Sequence, residues 1–251
     1  ALFERVVLGR HLARYRQCTV CRLTQTQAPD WLDEAYASAI HSTDTGLLSR
    51  NVRACAIVAT FLYLSRVGDR PVLDDAGGYG TLTRLLRDSG FHAYWRDRQA
   101  TNLFARGFEW RDDLGPPVAV TALEVLEHFV HPRDEFSRIG ELGAEYIITS
   151  TEIHPGERPS PDWPYLSPAS GQHVAFYRPE TLRHLGAACG YPVVLVGPYF
   201  QIFSRRPFPS WRWRAAVRWG EPLHLLIRRL RPSLTVQDSE AQRRRLEAGE
   251  E

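Results

Sequence analysis

Methionine and lysine are both missing from this 251-residue chain, so every one of its 31 basic residues is arginine. The uniform arginine reads as coding bias rather than chemistry, and the lack of a methionine at position 1 points to a processed or cut N-terminus. Cysteine is scarce. Cys18, Cys21, Cys55 and Cys189 are too few and too scattered for a disulfide framework. No N-terminal stretch joins a charged, an apolar and a cleavage region, and the longest apolar helical run, Ala54 to Leu64, is shorter than a bilayer span. A cytoplasmic protein is the expectation. An excess of one charge is lacking as well: 31 basic against 29 acidic side chains leave a net +2, which favours no polyanionic partner and places nucleic acid last among ligands.

What is present is a globular composition, 43% apolar and 24% charged, in a chain long enough for one domain with appendages. Residues 1–30 are mixed in character and carry the Cys18-x-x-Cys21 pair. Helical apolar spacing runs from Trp31 to Ile40 and from Gly46 to Arg66. Short strand patterns (Val72–Asp74, His92–Trp95, Val118–Leu123, Tyr146–Ser150) then alternate with helical ones (Thr81–Asp88, Gln99–Ala105, Arg133–Leu142), which predicts a parallel sheet with helices on both faces. Thr151–Tyr177 reads as a long aromatic loop. A helix over Pro179–Cys189 and an antiparallel edge hairpin, Val193–Val196 with Phe200–Ser204, follow it. The domain expectation is an N-terminal segment 1–30, a main domain 31–205, and a basic, Trp-rich helical extension 206–251.

The first chemically informative stretch is Leu73-Asp74-Asp75-Ala76-Gly77-Gly78-Tyr79-Gly80 followed at once by a helical pattern. Strand, glycine turn and helix in that order bring backbone N–H groups and a helix N-terminus to a nucleotide-like ligand. Asp97, 23 residues beyond Asp74, is placed to accept from ribose hydroxyls, and Asp112 precedes the next strand, within reach of an adenine amino group. Their bland alternatives are a solvated turn acid and a loop acid. A second stretch, Thr121-Ala122-Leu123-Glu124-Val125-Leu126-Glu127-His128-Phe129-Val130-His131-Pro132, closes a strand and holds the first of three candidate bases.

Together the two stretches resemble the first and second motifs of class I S-adenosylmethionine-dependent methyltransferases, with Ala76 at a glycine and Asp75 at an apolar position of that pattern. The resemblance spans residues 45–205 and implies a Rossmann-like, doubly wound, mostly parallel seven-stranded α/β sheet with N- and C-terminal helical extensions. It places S-adenosylmethionine over Ala76, Gly77, Gly78 and Gly80, with Asp74 ordering the turn, Asp97 on the ribose, and Ala122, Leu123 and Glu124 at the sulfonium. Arg50 is a candidate for the donor's carboxylate, with Tyr36 and Asp44 closing over it.

His173, His128 and His154 compete as the base that takes the acceptor's proton, each against a structural role. Trp163, Tyr165 and Tyr177 are candidates to line the acceptor. No pair of acids after the fourth and fifth strands marks a metal, so metal-independent chemistry is expected. The stretch around Cys18 and Cys21 resembles the end of a zinc-binding module that precedes some sugar and natural-product methyltransferases. It supplies two of four ligands, with structural zinc in the intact protein or a pair of free thiols as the two readings.

Between Arg205 and Arg231 eight arginines and one acid, Glu221, alternate with Trp211, Trp213 and Trp219. Packing on the domain, a homodimer contact and a peripheral membrane contact are the three readings, in that order. The expected activity is methyl transfer from S-adenosylmethionine to a small molecule of natural-product or polysaccharide biosynthesis, at oxygen ahead of carbon or nitrogen. A nicotinamide-dependent oxidoreductase and a degenerate adenosylmethionine-binding scaffold are the alternatives.

Overall fold

In the computed structural model, which describes residues 2–37, 44–154 and 156–249, the chain opens with strands rather than helices. These are β1 (Phe3–Val7), β2 (His11–Gln17) and β3 (Thr24–Thr26), followed by a short helix α1 (Leu32–Ala35) and a long one, α2 (Leu47–Leu64). Strand and helix then alternate: β4 (Val72–Asp75), α3 (Thr81–Asp88), β5 (Ala93–Arg96), β6 (Ala119–Leu123), α4 (Pro132–Glu141) and β7 (Tyr146–Ser150). The remainder is β8 (Ala175–Phe176), α5 (Pro179–Ala188), β9 (Val193–Val196), β10 (Phe200–Ser204), α6 (Trp211–Leu230) and α7 (Thr235–Glu247). Two compact units result, with their boundary inside β6: Ala1–Asp44 with Ala122–Phe208, and Thr45–Thr121 with Pro209–Glu251.

The first unit contains an antiparallel sheet in the order β1-β2-β3-β8. In β2 the apolar side chains Ala13 and Tyr15 are buried while Leu12, Arg14 and Arg16 face out, a period of two that dictates a strand. The expected helical N-terminal extension is therefore a β-sheet. Its inner face packs Val7, Ala13 and Tyr15 against Trp31, Trp163, Leu166 and Phe176, so the long aromatic segment completes a core. The same unit holds the end of β6 beside β7, then β10 antiparallel to β7 and to β9, as the hairpin reading expected.

The second unit carries the parallel strands β5-β4-β6. Here α2 packs on α3 and α6. Gly220 of α6 presses on the backbone of Ile57, its carbonyl accepts the Thr60 hydroxyl at 3.2 Å, and Phe61 meets Trp213 edge-on at 5.6 Å. Pro222 lies inside α6, and the helix kinks at Trp219 (φ −128°), as the loss of an N–H and the ring's clash one turn back require.

Several expectations need correction. The described residues contain six strands in the sheet that holds the parallel set, not seven. Gln99–Ala105 is not a helix, because its backbone is claimed elsewhere: Asp97 Oδ1 accepts Gln99 and Ala100 N–H, and the Tyr79 carbonyl accepts Leu103 and Phe104 N–H. The helix expected over Trp31–Ile40 is confined to Leu32–Ala35 among the described residues, and 38–40 lie outside them. Finally, α2 is 18 residues long with a mean hydropathy of 1.3, so by length and composition it is long and apolar enough to cross a membrane. Half of it is buried in the fold, the place of an ordinary core helix.

Candidate functional site

The glycine turn lies in the second unit. Val72 and Leu73 bury β4, and Asp74 sits just beneath the turn, accepting the Thr83 hydroxyl at 2.9 Å and the Thr121 hydroxyl at 2.8 Å. Burial pushes its carboxyl from an ordinary 3.8 up to about 6, against the pull of those two hydroxyls. Asp74 thus orders the turn from inside. Ala76 follows in the left-handed region (φ +56°), a conformation that costs an L-residue about 1–2 kcal/mol.

Gly77 admits no side chain, since a Cβ there would come within 2.8 Å of Asp74 Oδ2 and of Trp95. Gly78 is the opposite case: φ is +54° and a Cβ would meet nothing within 4 Å, so this backbone faces open space. Its N–H donates to Asp97 Oδ2 at 2.9 Å and its carbonyl accepts Trp95 Nε1 at 2.8 Å. Gly80 then caps α3, its N–H on the Gly77 carbonyl. With Oδ1 on the Gln99 and Ala100 amides, Asp97 ties the turn after β4 to the loop after β5. Asp112 is exposed on a short 3-10 turn, Asp112–Leu114, and Arg50 is half-buried in the first turn of α2.

The second set of candidates lies in the first unit. Ala122 and Leu123 end β6, and Glu124 follows in the left-handed region at φ +55°. The strain is held in place by Ser150 at the end of β7: the Glu124 N–H donates to the Ser150 carbonyl and hydroxyl, and that hydroxyl donates to Glu124 Oε1 at 2.6 Å. A 3-10 turn, Leu126–His128, then turns Glu127 fully inward, where the Tyr165 hydroxyl donates to its Oε1 at 2.6 Å.

His128 and His173 meet edge to face, ring centres 5.2 Å apart. A carbonyl can only accept, so His128 donates Nδ1–H to the Gln172 carbonyl at 3.0 Å and His173 donates Nδ1–H to the Tyr165 carbonyl at 2.6 Å. A neutral ring bonded in this way carries its lone pair on Nε2. Burial holds the His128 imidazole below its usual pKa, opposed by the Gln172 carbonyl and the Glu124 charge, so the ring is neutral at pH 7. Tyr36 closes on His128 from another side, at 6.1 Å.

The remaining candidates fall elsewhere. His154 is buried against Trp163, with its N–H on the Tyr177 carbonyl, and does not join the His128–His173 pair. Trp163 belongs to the core already described. Tyr177 is fully buried, donating to the Leu126 carbonyl at 2.7 Å, while Tyr165 is half-buried and bonded to both Glu127 and His173. Burial, first of all, and the Glu127 charge hold both phenols well above their ordinary pKa, as neutral donors. Cys18 and Cys21 sit on the turn between β2 and β3, Cys18 exposed, and the Cys21 carbonyl accepts the Thr181 hydroxyl at 2.6 Å. No third metal-ligating side chain joins them among the described residues. Sequence reasoning missed Ser150 and the Gln172 carbonyl, one a common strand-end residue and the other a backbone atom.

Residues 13–196 match the family model of a methyltransferase domain. No curated protein sequence matches the chain. Among solved structures it is similar to TnmH, at 16% identity and a TM-score of 0.49 over 70% of this chain and 61% of that one. It is also similar to an O-methyltransferase family protein from Burkholderia thailandensis (15% identity, TM-score 0.44, 72% and 68% covered). A third is the magnesium protoporphyrin IX methyltransferase of Synechocystis with bound SAH (16%, 0.41, 69% and 91%). The chain thus spans about three-fifths of TnmH's length.

Proposed function

Since the chain belongs to the methyltransferase-domain family that its residues 13–196 match, we propose that it transfers a methyl group from S-adenosylmethionine to a hydroxyl of a small molecule. The observation that carries the donor half is the backbone of Gly78, where a Cβ would meet nothing within 4 Å, tied to Asp97 and two residues before the cap of α3. Gly77, Gly78 and Gly80 bring the donor close, Asp97 faces its ribose, and Asp74 works from beneath as the organiser of the turn.

On the acceptor side the reaction needs little from the protein, because the sulfonium is already activated. The acceptor oxygen must be aligned with the methyl carbon and must lose its proton. The oxygen lone pair then forms the new O–CH3 bond, and the S–CH3 bond breaks with its electron pair returning to sulfur. Glu127, His128 and His173 form the polar group beside which that proton would be lost. A sugar, glycoconjugate or secondary metabolite fits the balanced charge of the chain better than a nucleic acid.

Calorimetry with S-adenosylmethionine and its demethylated product tests the donor. Binding of either supports the reading, and binding of a nicotinamide cofactor instead overturns it. Turnover of labelled methyl against a panel of hydroxylated acceptors then separates an enzyme from a scaffold.

A further inference from the structure

Glu127, His128 and His173 bring a carboxylate oxygen and two imidazole nitrogens within 4.8 Å of one another, although His173 lies 45 residues beyond His128 in the chain. Two imidazoles and a carboxylate are a donor set taken by divalent first-row ions, which keep open positions for water or substrate. The orientation of the rings is a separate observation. Both imidazoles spend their Nδ1–H on backbone carbonyls, which turns Nε2 outward as the ligand atom, as outer partners do for metal-binding histidines. Tyr165 positions two of the three groups, its carbonyl holding His173 and its hydroxyl holding Glu127. A carboxylate oxygen and two imidazole nitrogens gathered this closely are donors that one cation can bridge.

We propose that Glu127, His128 and His173 hold a divalent transition-metal ion that binds the oxygen of the methyl acceptor. The inference rests on the reading of the chain as a methyltransferase acting on a hydroxyl. Coordination to the ion weakens the O–H bond, the proton passes to solvent, and the metal-bound alkoxide attacks the methyl carbon. No oxidant or reductant is needed. Metal-independent chemistry is the expectation from the lack of a pair of acids after the fourth and fifth strands, and the proposed site departs from it. This group takes its third ligand from a remote segment instead.

The full chain, stripped with a chelator and dialysed, is titrated with Co2+ and followed by visible absorption and calorimetry. One ion per chain is expected, without a thiolate charge-transfer band. Glu127→Gln and His173→Ala should each raise the Kd at least about a hundredfold, and Tyr165→Phe about tenfold to a hundredfold. The double variant Cys18→Ser/Cys21→Ser should leave the titration unchanged. Glu127→Gln preserves side-chain shape, so it remains informative if His173→Ala misfolds.

The same stripped protein is titrated with S-adenosylmethionine. Donor binding without Co2+ binding overturns the metal inference and leaves the methyltransferase reading standing. Co2+ binding without donor binding supports the ion and counts against that reading. A thiolate band that disappears in the cysteine variant overturns the assignment to Glu127, His128 and His173.

Discussion

Asp74 shows how a single residue serves a turn that it never enters. A carboxylate buried under a glycine loop is costly, and two threonine hydroxyls offset only part of the cost, hence a pKa of about 6 against an ordinary 3.8. The sign follows from linkage. The folded chain holds this proton more tightly than the unfolded chain, so the group's contribution is full below pH 4 and is lost as pH rises through 6. The loss amounts to about 3 kcal/mol. Asp74→Asn removes the titration while keeping an acceptor for one threonine. Denaturant unfolding of both proteins at pH 4, 5, 6 and 7 should show the native protein losing ground to the variant across that interval. A constant difference, or one that grows in the native protein's favour, would rule the burial account out.

At the scale of elements the second unit owes much to its C-terminal helices. Asp238 of α7, almost fully buried, takes a two-pronged contact from Arg87 (2.8 and 2.6 Å) and a further 2.8 Å contact from Arg84, both on α3. Burial alone would raise its carboxyl, but the Arg87 and Arg84 bonds and charges outweigh it and the pKa is lowered. Its contribution is therefore present above the unfolded carboxylate range and lost as pH falls below it. Asp238→Asn takes the counter-charge from the buried Arg87, while Arg84 keeps its pair with Asp88, and a loss of about 3–5 kcal/mol is expected. Limited proteolysis between α6 and α7 should accelerate with it. An unchanged midpoint and cleavage rate would mean that α7 is docked by its apolar residues instead.

The sequence made α3, α4, α5 and the strands β4, β6, β7, β9 and β10 legible, because each carries its own period and turn signals. It hid β3 and β8, which are three and two residues long and are strands only through their pairing, whereas the period of two in β2 was present in the sequence and went unread. It also hid the fate of Gln99–Ala105, whose backbone is claimed by Asp97 and Tyr79. In the candidate site, His128 and Glu127 stood out in one motif. Their meeting with His173 through Tyr165 is a product of tertiary structure that no local spacing encodes.

Under the proposed function the donor and acceptor roles would belong to residues of different units, which yields a partition that kinetics can read. Gly77, Gly78, Gly80 and Asp97 belong to the second unit; Glu124, Glu127, His128 and His173 belong to the first. Asp97→Ala removes the acceptor of the Gly78 N–H and of two loop amides. Donor affinity should fall at least about tenfold, or about 1.4 kcal/mol. His173→Ala should leave the donor Kd within about twofold while turnover falls by about 10² to 10⁴. A donor Kd follows from calorimetry alone, and kcat and KM for the acceptor follow from labelled-methyl transfer at saturating donor. If His173→Ala weakened the donor as much as Asp97→Ala does, the imidazole would belong to the donor's pocket rather than to the acceptor's proton. Loss of turnover in both variants with donor binding intact in both would instead move Asp97 off the ribose and leave the donor to the glycine turn.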